Sequence, residues 1–317
     1  MLFVWPKELK QLGLLGMNSR NINYIARHNP RHLYPIVDNK LLTKKAAIDA
    51  GIRVPELLGV IESNHELSKL PQLLAPLTQF VIKPTRGSGG KGILVISGRE
   101  FDFFLKTNGS KILQSDIRRH VNNILSGLYS LGGKPDKAMI EAMIQYDDIF
   151  NEYTYEGVPD LRVIVYKGFP IMAMLRCATH SSDGRANLHQ GAIGVGIDIL
   201  TGKSQYAVQH GRPVTEHPDT GKSFKDLSIP YWQEILRLTA GCHEMTGLGY
   251  IGCDIVIDKE QGPMILELNA RPGLAIQLAC GLGLEKRLSF IDRLSTEVME
   301  QDADKRVSFL MSNQFQE

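Results

Sequence analysis

The sequence predicts a mixed chain, α+β (α/β) in class, with room for two lobes. Three observations carry this. Residues 80–96, FVIKPTRGSGGKGILVI, read as strand, glycine loop and strand. Residues 249–273, GYIGCDIVIDKEQGPMILELNARPG, read as a hairpin. Helical spacing of apolar residues recurs at Ile117, Val121, Ile124 and Leu128, and again at Trp232, Ile235, Leu236, Thr239, Cys242 and Met245. With 317 residues, 43% hydrophobic and 22% charged, the chain can bury an ample core.

Taken in order, residues 1–38 form a short N-terminal arm whose polar cluster, Asn18, Ser19, Arg20, Asn21 and Asn23, is too small to be a nucleotide domain. Asp38 is set to cap a helix carrying Leu41, Leu42, Ala46 and Ile48, which Gly51 closes. Val54-Pro55 introduces a strand over 57–61, and a helix punctuated by Pro71 and Pro76 follows. After the glycine loop come a helix over 114–130 and a strand over 139–144 interrupted by Glu141. Residues 161–166 and 171–176 pair across Lys167-Gly168. A polar loop over 178–191 leads to a strand at 193–199, and a second loop-rich stretch runs to 227. Ser228 is set to cap the helix that Gly247 stops, helices fill 275–300, and 301–317 read as a polar tail.

Composition narrows the function. A net charge of +2 and a pI near 8.2 argue against a nucleic-acid protein led by bulk charge. Cys177, Cys242, Cys253 and Cys280 lack CxxC spacing and read as reduced, buried thiols. The opening MLFVWPKELK is neither a signal peptide nor a span, and no run reaches the ~18 apolar residues of a membrane helix. The expectation is a cytoplasmic protein without nucleic-acid partner or membrane insertion.

The glycine loop matches G-x-G-x-x-G at 87–92, but a dinucleotide fold needs a helix next, and Ile93-Leu-Val-Ile reads as strand. Thr85 and Gly92 also break the Walker pattern. What remains is either a flexible turn or a flap whose amides close over a triphosphate, with Lys83 meeting the phosphates. Four glycines beside Arg86 and Lys91 favour the flap.

In the hairpin, a turn at 259–262 would set Asp254 opposite Glu267, their Cβ atoms ~4.5–5.5 Å apart. Two carboxylates that close repel unless a divalent cation joins them, and with Asn269 they offer the oxygen ligands that Mg²⁺ prefers. An ordinary edge hairpin is the alternative, although it has no need of Asn269-Ala-Arg-Pro-Gly.

With these motifs in hand, residues 38 to about 288 resemble the ATP-grasp superfamily, and within it the α-L-glutamate ligases, which include the ribosomal-protein glutamate ligases. The resemblance implies the ATP-grasp fold, two lobes each with a mainly antiparallel sheet and helices, with the nucleotide bound between them. It implies a small lobe over 39–143 and a large lobe over 144–300. Lys40 and Lys83 become the nucleotide lysines, with Lys44 and Lys45 facing solvent. Gly87, Ser88, Gly89, Gly90, Lys91 and Gly92 become the mobile flap. Glu141, Ala142, Met143 and Ile144 become the strand that reads adenine, with Asp147 or Asp148 near ribose. Asp160-Leu-Arg162 resembles a family strand start, and Arg185-Ala-Asn187-Leu-His189-Gln-Gly191 follows the ligase group's loop closely. Asp254, Glu267 and Asn269 match the metal triad, holding Mg²⁺, two ions by implication, with Mn²⁺ able to substitute.

The function so implied is an ATP-dependent carboxylate–amine ligase, an ADP-forming carbon–nitrogen ligase of the acid–amino-acid type. It works through an acyl phosphate, adding glutamate or another amino acid to a peptide or small-molecule acceptor. Arg176, Asn187 and Arg271 are the catalytic expectations; His189 is either a base on the amine or a structural residue. Arg271 replaces a small family residue, and either binds a substrate carboxylate or pairs with Glu267. The family's additional N-terminal domain is reduced here to the arm, which leaves open a homo-oligomer that completes it. A phosphotransferase on the same fold and a non-catalytic nucleotide-binding subunit are the alternatives.

Overall fold

Short apolar runs separated by glycine and charged turns gather into two antiparallel sheets. The computed structural model describes residues 6–87, 89–313 and 315, with Pro6 and Leu131 described by backbone alone. Ser88 of the expected flap lies outside the described residues, as do 1–5 of the arm and 314, 316 and 317 of the tail. The chain forms two compact units: one of residues 39–44 and 54–145, the other of the described residues up to 38, 45–53 and those from 146 onward.

The smaller unit is a six-stranded sheet of β1 (Leu57–Ile61), β2 (Phe80–Pro84), β3 (Leu94–Glu100), β4 (Phe103–Lys106), β5 (Lys111–Leu113) and β6 (Ala138–Glu141), ordered β1-β6-β2-β3-β4-β5. Alternation places Phe80, Ile82, Ile96 and Ile140 in one core with Ile117, Val121 and Ile124 of the helix Gln114–Leu125. That helix is shorter than the expected 114–130. It stops at Ser126 because Gly127 turns left-handed (φ 85°), where a Cβ would lie 2.4 Å from the Lys134 carbonyl oxygen. The strand expected over 139–144 ends at Glu141. The helix Lys40–Asp49 is capped by Asn39, whose Oδ1 accepts from Leu41 N at 3.0 Å. Asp38, the expected cap, instead ends the preceding helix Pro35–Asp38.

The larger unit holds seven strands, β7 (Asp160–Tyr166), β8 (Phe169–Cys177), β9 (Ile193–Ile197), β10 (Ser204–Gln209), β11 (Arg212–Pro213), β12 (Tyr250–Asp258) and β13 (Gly262–Asn269), ordered β11-β10-β9-β8-β7-β12-β13. β7 and β8 join through Lys167 (φ 48°) and Gly168 (φ 79°), the two left-handed residues of a tight hairpin turn. All nine residues of β12 are buried, so both of its faces are covered.

The helix Trp232–Thr246 buries the expected stripe except Met245, which is partly exposed, and Gly247 ends it at φ 68°. Ser228 does not cap it; it bridges to Lys203, and the helix starts after Tyr231 in a left-handed conformation. Short helices at Ala275–Cys280, Glu285–Asp292 and Thr296–Met299 fill the expected stretch.

Described segments near both ends of the chain, 17–29 and 303–312, belong to this unit. Residues 17–28 are helical with a π turn at Arg20–Ile25, burying Tyr24 and Ile25. Asn29 then brackets β12 and the chain after β13. Its Nδ2 donates to the Tyr250 and Ala270 carbonyls at 2.7 and 2.9 Å, and its Oδ1 accepts from Tyr250 N at 2.9 Å. Within the expected polar tail, Ala303–Ser312 is a helix capped by Asp302, burying Val307, Leu310 and Arg306. The four cysteines are buried, and none forms a disulfide among the described residues. No described helix is long and apolar enough to cross a membrane.

Candidate active site

In the smaller unit, strand register sets Lys83 of β2 against Met139 and Val81 against Glu141, so Lys83 and Glu141 share one face. Both are buried, and so is Lys44, one helical turn beyond Lys40. Lys44 Nζ lies 2.8 Å from Glu141 Oε1, and Lys83 Nζ pairs with Glu141 Oε2. Lys44 also donates to the Pro55 carbonyl. Lys44 was expected to face solvent; it is buried instead because Glu141 of β6 pairs with it. Burial pulls the Lys44 ammonium below its usual pKa, against the opposing pull of Glu141.

The glycine flap hangs from this sheet. Lys40 Nζ donates to the Gly87 carbonyl at 2.8 Å. A Cβ on Gly87 would sit 2.3 Å from Pro84 Cγ, and one on Gly92 would fall 2.6 Å from the Tyr129 ring. Gly89 and Gly90, both left-handed, have open space around them. The flap's base is tied by Asp136, which accepts from Thr85 Oγ1, from Arg86 N at 2.9 Å and from Ser130 Oγ at 2.8 Å. Asp136 escaped sequence reasoning, since a lone Asp after Lys-Pro carries no motif. Ala142 N, in the expected adenine-reading strand, donates to the Glu56 carbonyl at 3.0 Å.

In the larger unit, cross-strand register puts Glu267, Asp254 and Arg162 side by side on β13, β12 and β7. Asp160 faces Arg176 of β8 on the same side of the sheet. The Arg162 fork grips Asp254, Nε to Oδ1 and Nη2 to Oδ2, the latter at 2.6 Å. Arg176 grips Asp160 in the same way and reaches Asp254 Oδ2 with Nη2 at 2.8 Å. Asn269 Nδ2 lies 3.4 Å from Asp254 Oδ2.

Burial acts to raise the Asp254 pKa, but Arg162 and Arg176 outweigh it and hold the carboxyl below its usual range. Asp160 goes the other way. Burial, aided by the charge of Asp254, pushes it up to about 6 against the pull of Arg176 and Arg162. Arg176 is held firmly charged: burial disfavours the cation, but Asp160 and Asp254 overcome that.

The fit of this face to a hard cation can be judged from its donors. Among the described residues no three His, Cys, Asp or Glu side chains converge as metal ligands. The expected set contains two carboxylates and one amide. An ionised carboxylate has about four acceptor positions, so the Asp254 oxygens can serve the guanidinia and still offer a lone pair. Glu267 and the Asn269 amide oxygen complete a hard-oxygen set suited to Mg²⁺ shared with phosphate.

The remaining expected residues are dispersed. Asn187 Oδ1 accepts from His189 N at 3.0 Å, capping the turn Leu188–Gln190. That turn lies against Gly194, the cross-strand neighbour of Arg176, where a Cβ would meet Leu188 Cδ2 at 2.7 Å. His189 is exposed, and Arg185 lies 3.6 Å from Asp183 at the surface. Asp147 caps Ile149 N, and Asp148 pairs with Lys259. The Arg271 guanidinium rests 5.4 Å above the Tyr34 ring and makes no ion pair among the described residues.

Residues 19–293 match the profile of the family described as sugar-transfer associated ATP-grasp. No curated protein matches the chain. Similar solved structures include the ATP-grasp ligase PsnB complexed with minimal precursor, with 14% identity and a TM-score of 0.44 over 84% of this chain and 62% of that one. The D-cycloserine synthetase DcsG has 15% identity and a TM-score of 0.46 over 89% and 73%. The D-alanine–D-alanine ligase from Coxiella burnetii has 13% identity and a TM-score of 0.47 over 88% and 60%. The chain thus spans less than two thirds of the length of PsnB.

Proposed function

The chain belongs to the sugar-transfer-associated ATP-grasp family, and from that premise we propose that it is an ATP-dependent carboxylate–amine ligase. The observation that carries this is the pairing of Asp254 with Glu267, beside Asn269 and two arginines, on one face of the larger unit's sheet. Oxygen ligands for a cation and guanidinia for developing negative charge are what phosphoryl and acyl transfer require.

In this reading Lys40, Lys83 and the flap amides hold the triphosphate. Asp254, Glu267 and Asn269 would hold Mg²⁺, which would offset the negative charge of the phosphates. A substrate carboxylate oxygen attacks the γ-phosphorus and ADP leaves. The amine then attacks the acyl carbon, phosphate leaves, and the amine proton passes to solvent or to a loop base such as His189. Arg176 has its Nε and Nη2 committed to Asp160 and Asp254, and in this reading its Nη1 would serve the reacting oxygens. Asn187, on the turn beside Gly194, is the second polar contact to the acyl group.

The added group is an amino acid, glutamate by resemblance, and the acceptor is a peptide or small molecule. The family's link to sugar transfer brings amino sugars and uronic acids into the same screen. The test is phosphate release from ATP with carboxylates and amines supplied in pairs. The ligase releases ADP and phosphate only when both partners are present. Transfer of phosphate to a single acceptor without release would replace this reading with a kinase.

A further inference from the structure

The geometry points to Lys44 as a positioning residue that keeps Glu141 neutralised while Lys83 turns to the nucleotide phosphates. The inference deepens the nucleotide reading above and rests on it. Its ground is a count of charge inside the smaller unit. Lys44, Lys83 and Glu141 are 5%, 5% and 3% exposed, so two ammonium groups and one carboxylate are enclosed together. Each ammonium takes one carboxylate oxygen, Lys44 at Oε1 and Lys83 at Oε2. The surplus positive charge suits an incoming anion, because a buried charge is stable only when it is paired.

The two lysines are not equivalent. Lys44 has a second anchor in the Pro55 carbonyl and sits on a helix whose first turn is fixed by Asn39. Among the described residues Lys83 pairs with Glu141 alone. Lys83 is therefore the cation free to swing away, and Lys44 the one that stays. If Lys83 were Glu141's sole counter-ion, drawing it to a phosphate would strand a buried carboxylate. With Lys44 in place, Glu141 keeps a partner throughout.

The experiment titrates the full-length chain with ATP and, separately, with adenosine, following thermal unfolding in parallel. Three proteins are compared: the natural chain, Lys44→Met, and the double variant Lys44→Met with Glu141→Gln. Lys44→Met leaves a matched Lys83–Glu141 pair, so it folds, and its ATP affinity falls by about tenfold or more. Adenosine carries no phosphate to compete for Lys83, so its affinity stays within about twofold. The double variant restores a single surplus ammonium and regains ATP affinity to within about threefold of the natural chain. The inference is overturned if Lys44→Met binds ATP as the natural chain does. It is overturned equally if ATP and adenosine weaken together, or if the double variant stays as weak as the single one. A natural chain that binds no ATP overturns the nucleotide reading itself, and this inference with it.

Discussion

Asp254 stands opposite Glu267 because the facing strand carries one residue too many. From the turn, pairing runs Asp258 with Gly262 down to Ile255 with Ile265, and Leu266 is then skipped before Asp254 meets Glu267. Without that bulge Glu267 would share a face with Ile265, and the bulge turns it toward Asp254 instead. The two carboxylates then part company in energetic role. Asp254 is buried and gripped by two guanidinia, whereas Glu267 is only partly buried.

Asp254→Asn therefore leaves Arg162 and Arg176 short of a buried counter-charge and costs about 3–5 kcal/mol of stability. Glu267→Gln changes stability by less than about 1 kcal/mol. It nevertheless lowers turnover on the order of a hundredfold, while ATP binding weakens only slightly. Urea unfolding and phosphate release, measured on both variants, check the split. Equal loss of stability in the two would show that Glu267 is a structural residue.

Asp160 gives the unit a pH signature. Its folded pKa, about 6, lies above the usual 3.8, so between those values the folded state binds the proton more readily than the unfolded chain. Stability from this group accordingly rises as pH falls through that window and is lost as pH climbs past 6. Asp254, held low, contributes in the opposite sense and only under more acidic conditions. Thermal unfolding of the natural chain and of Asp160→Asn, compared from pH 7.5 down to about pH 4.5, isolates the term. The stability difference between them shifts in favour of the natural chain as the solution is acidified. A difference that stays constant would mean that Asp160 is ionised throughout.

Much of this was readable from residue patterns. Alternation in 250–258 and 262–269 located the hairpin, and the expected Asp254–Glu267 pair is present. It arises from a tighter turn plus a bulge, not from the symmetric four-residue turn the sequence suggested, because period-two alternation cannot reveal an inserted residue. The glycine loop between strands was equally plain. What local pattern could not supply was the partnering of charges. Lys44 looks like any helix-surface lysine until Glu141 arrives from a strand far along the chain. Asp136 reads as a loop residue until Thr85, Arg86 and Ser130 converge on it. The helix within the expected tail was hidden for the same reason: its charged residues include Arg306, which is buried.

That helix supplies a stability prediction. Arg306 donates to the Gly168 carbonyl at 3.1 Å, to the Gln301 carbonyl and to Glu244, while Val307 and Leu310 are buried with it. Truncation after Gln301 strips these contacts from the β7–β8 turn and the helix Trp232–Thr246. Burial of the two apolar side chains alone contributes about 3–6 kcal/mol. The truncated chain should unfold at least about 5 °C lower. A thermal midpoint unchanged by the deletion would mean that the helix is dispensable.

Substitution of Arg271 tests whether it serves substrate binding or the chemical step. Its guanidinium carbon lies over the Tyr34 ring, 5.4 Å from the centroid, and has no carboxylate partner among the described residues, so the expected pairing with Glu267 is not made. A cation–π contact leaves the N–H donors of a guanidinium available to an anion. Arg271 follows Asn269 by two residues and is exposed. Arg271→Ala should raise KM for the carboxylate-bearing substrate about tenfold, the loss of one charge-assisted hydrogen bond. Turnover at saturation and KM for ATP should change by less than about twofold, since uniform binding alone is removed. Arg271→Lys keeps the charge but loses the planar fork and recovers only part of the affinity. A fall in kcat matching the fall in kcat/KM would instead assign Arg271 to the reacting atoms.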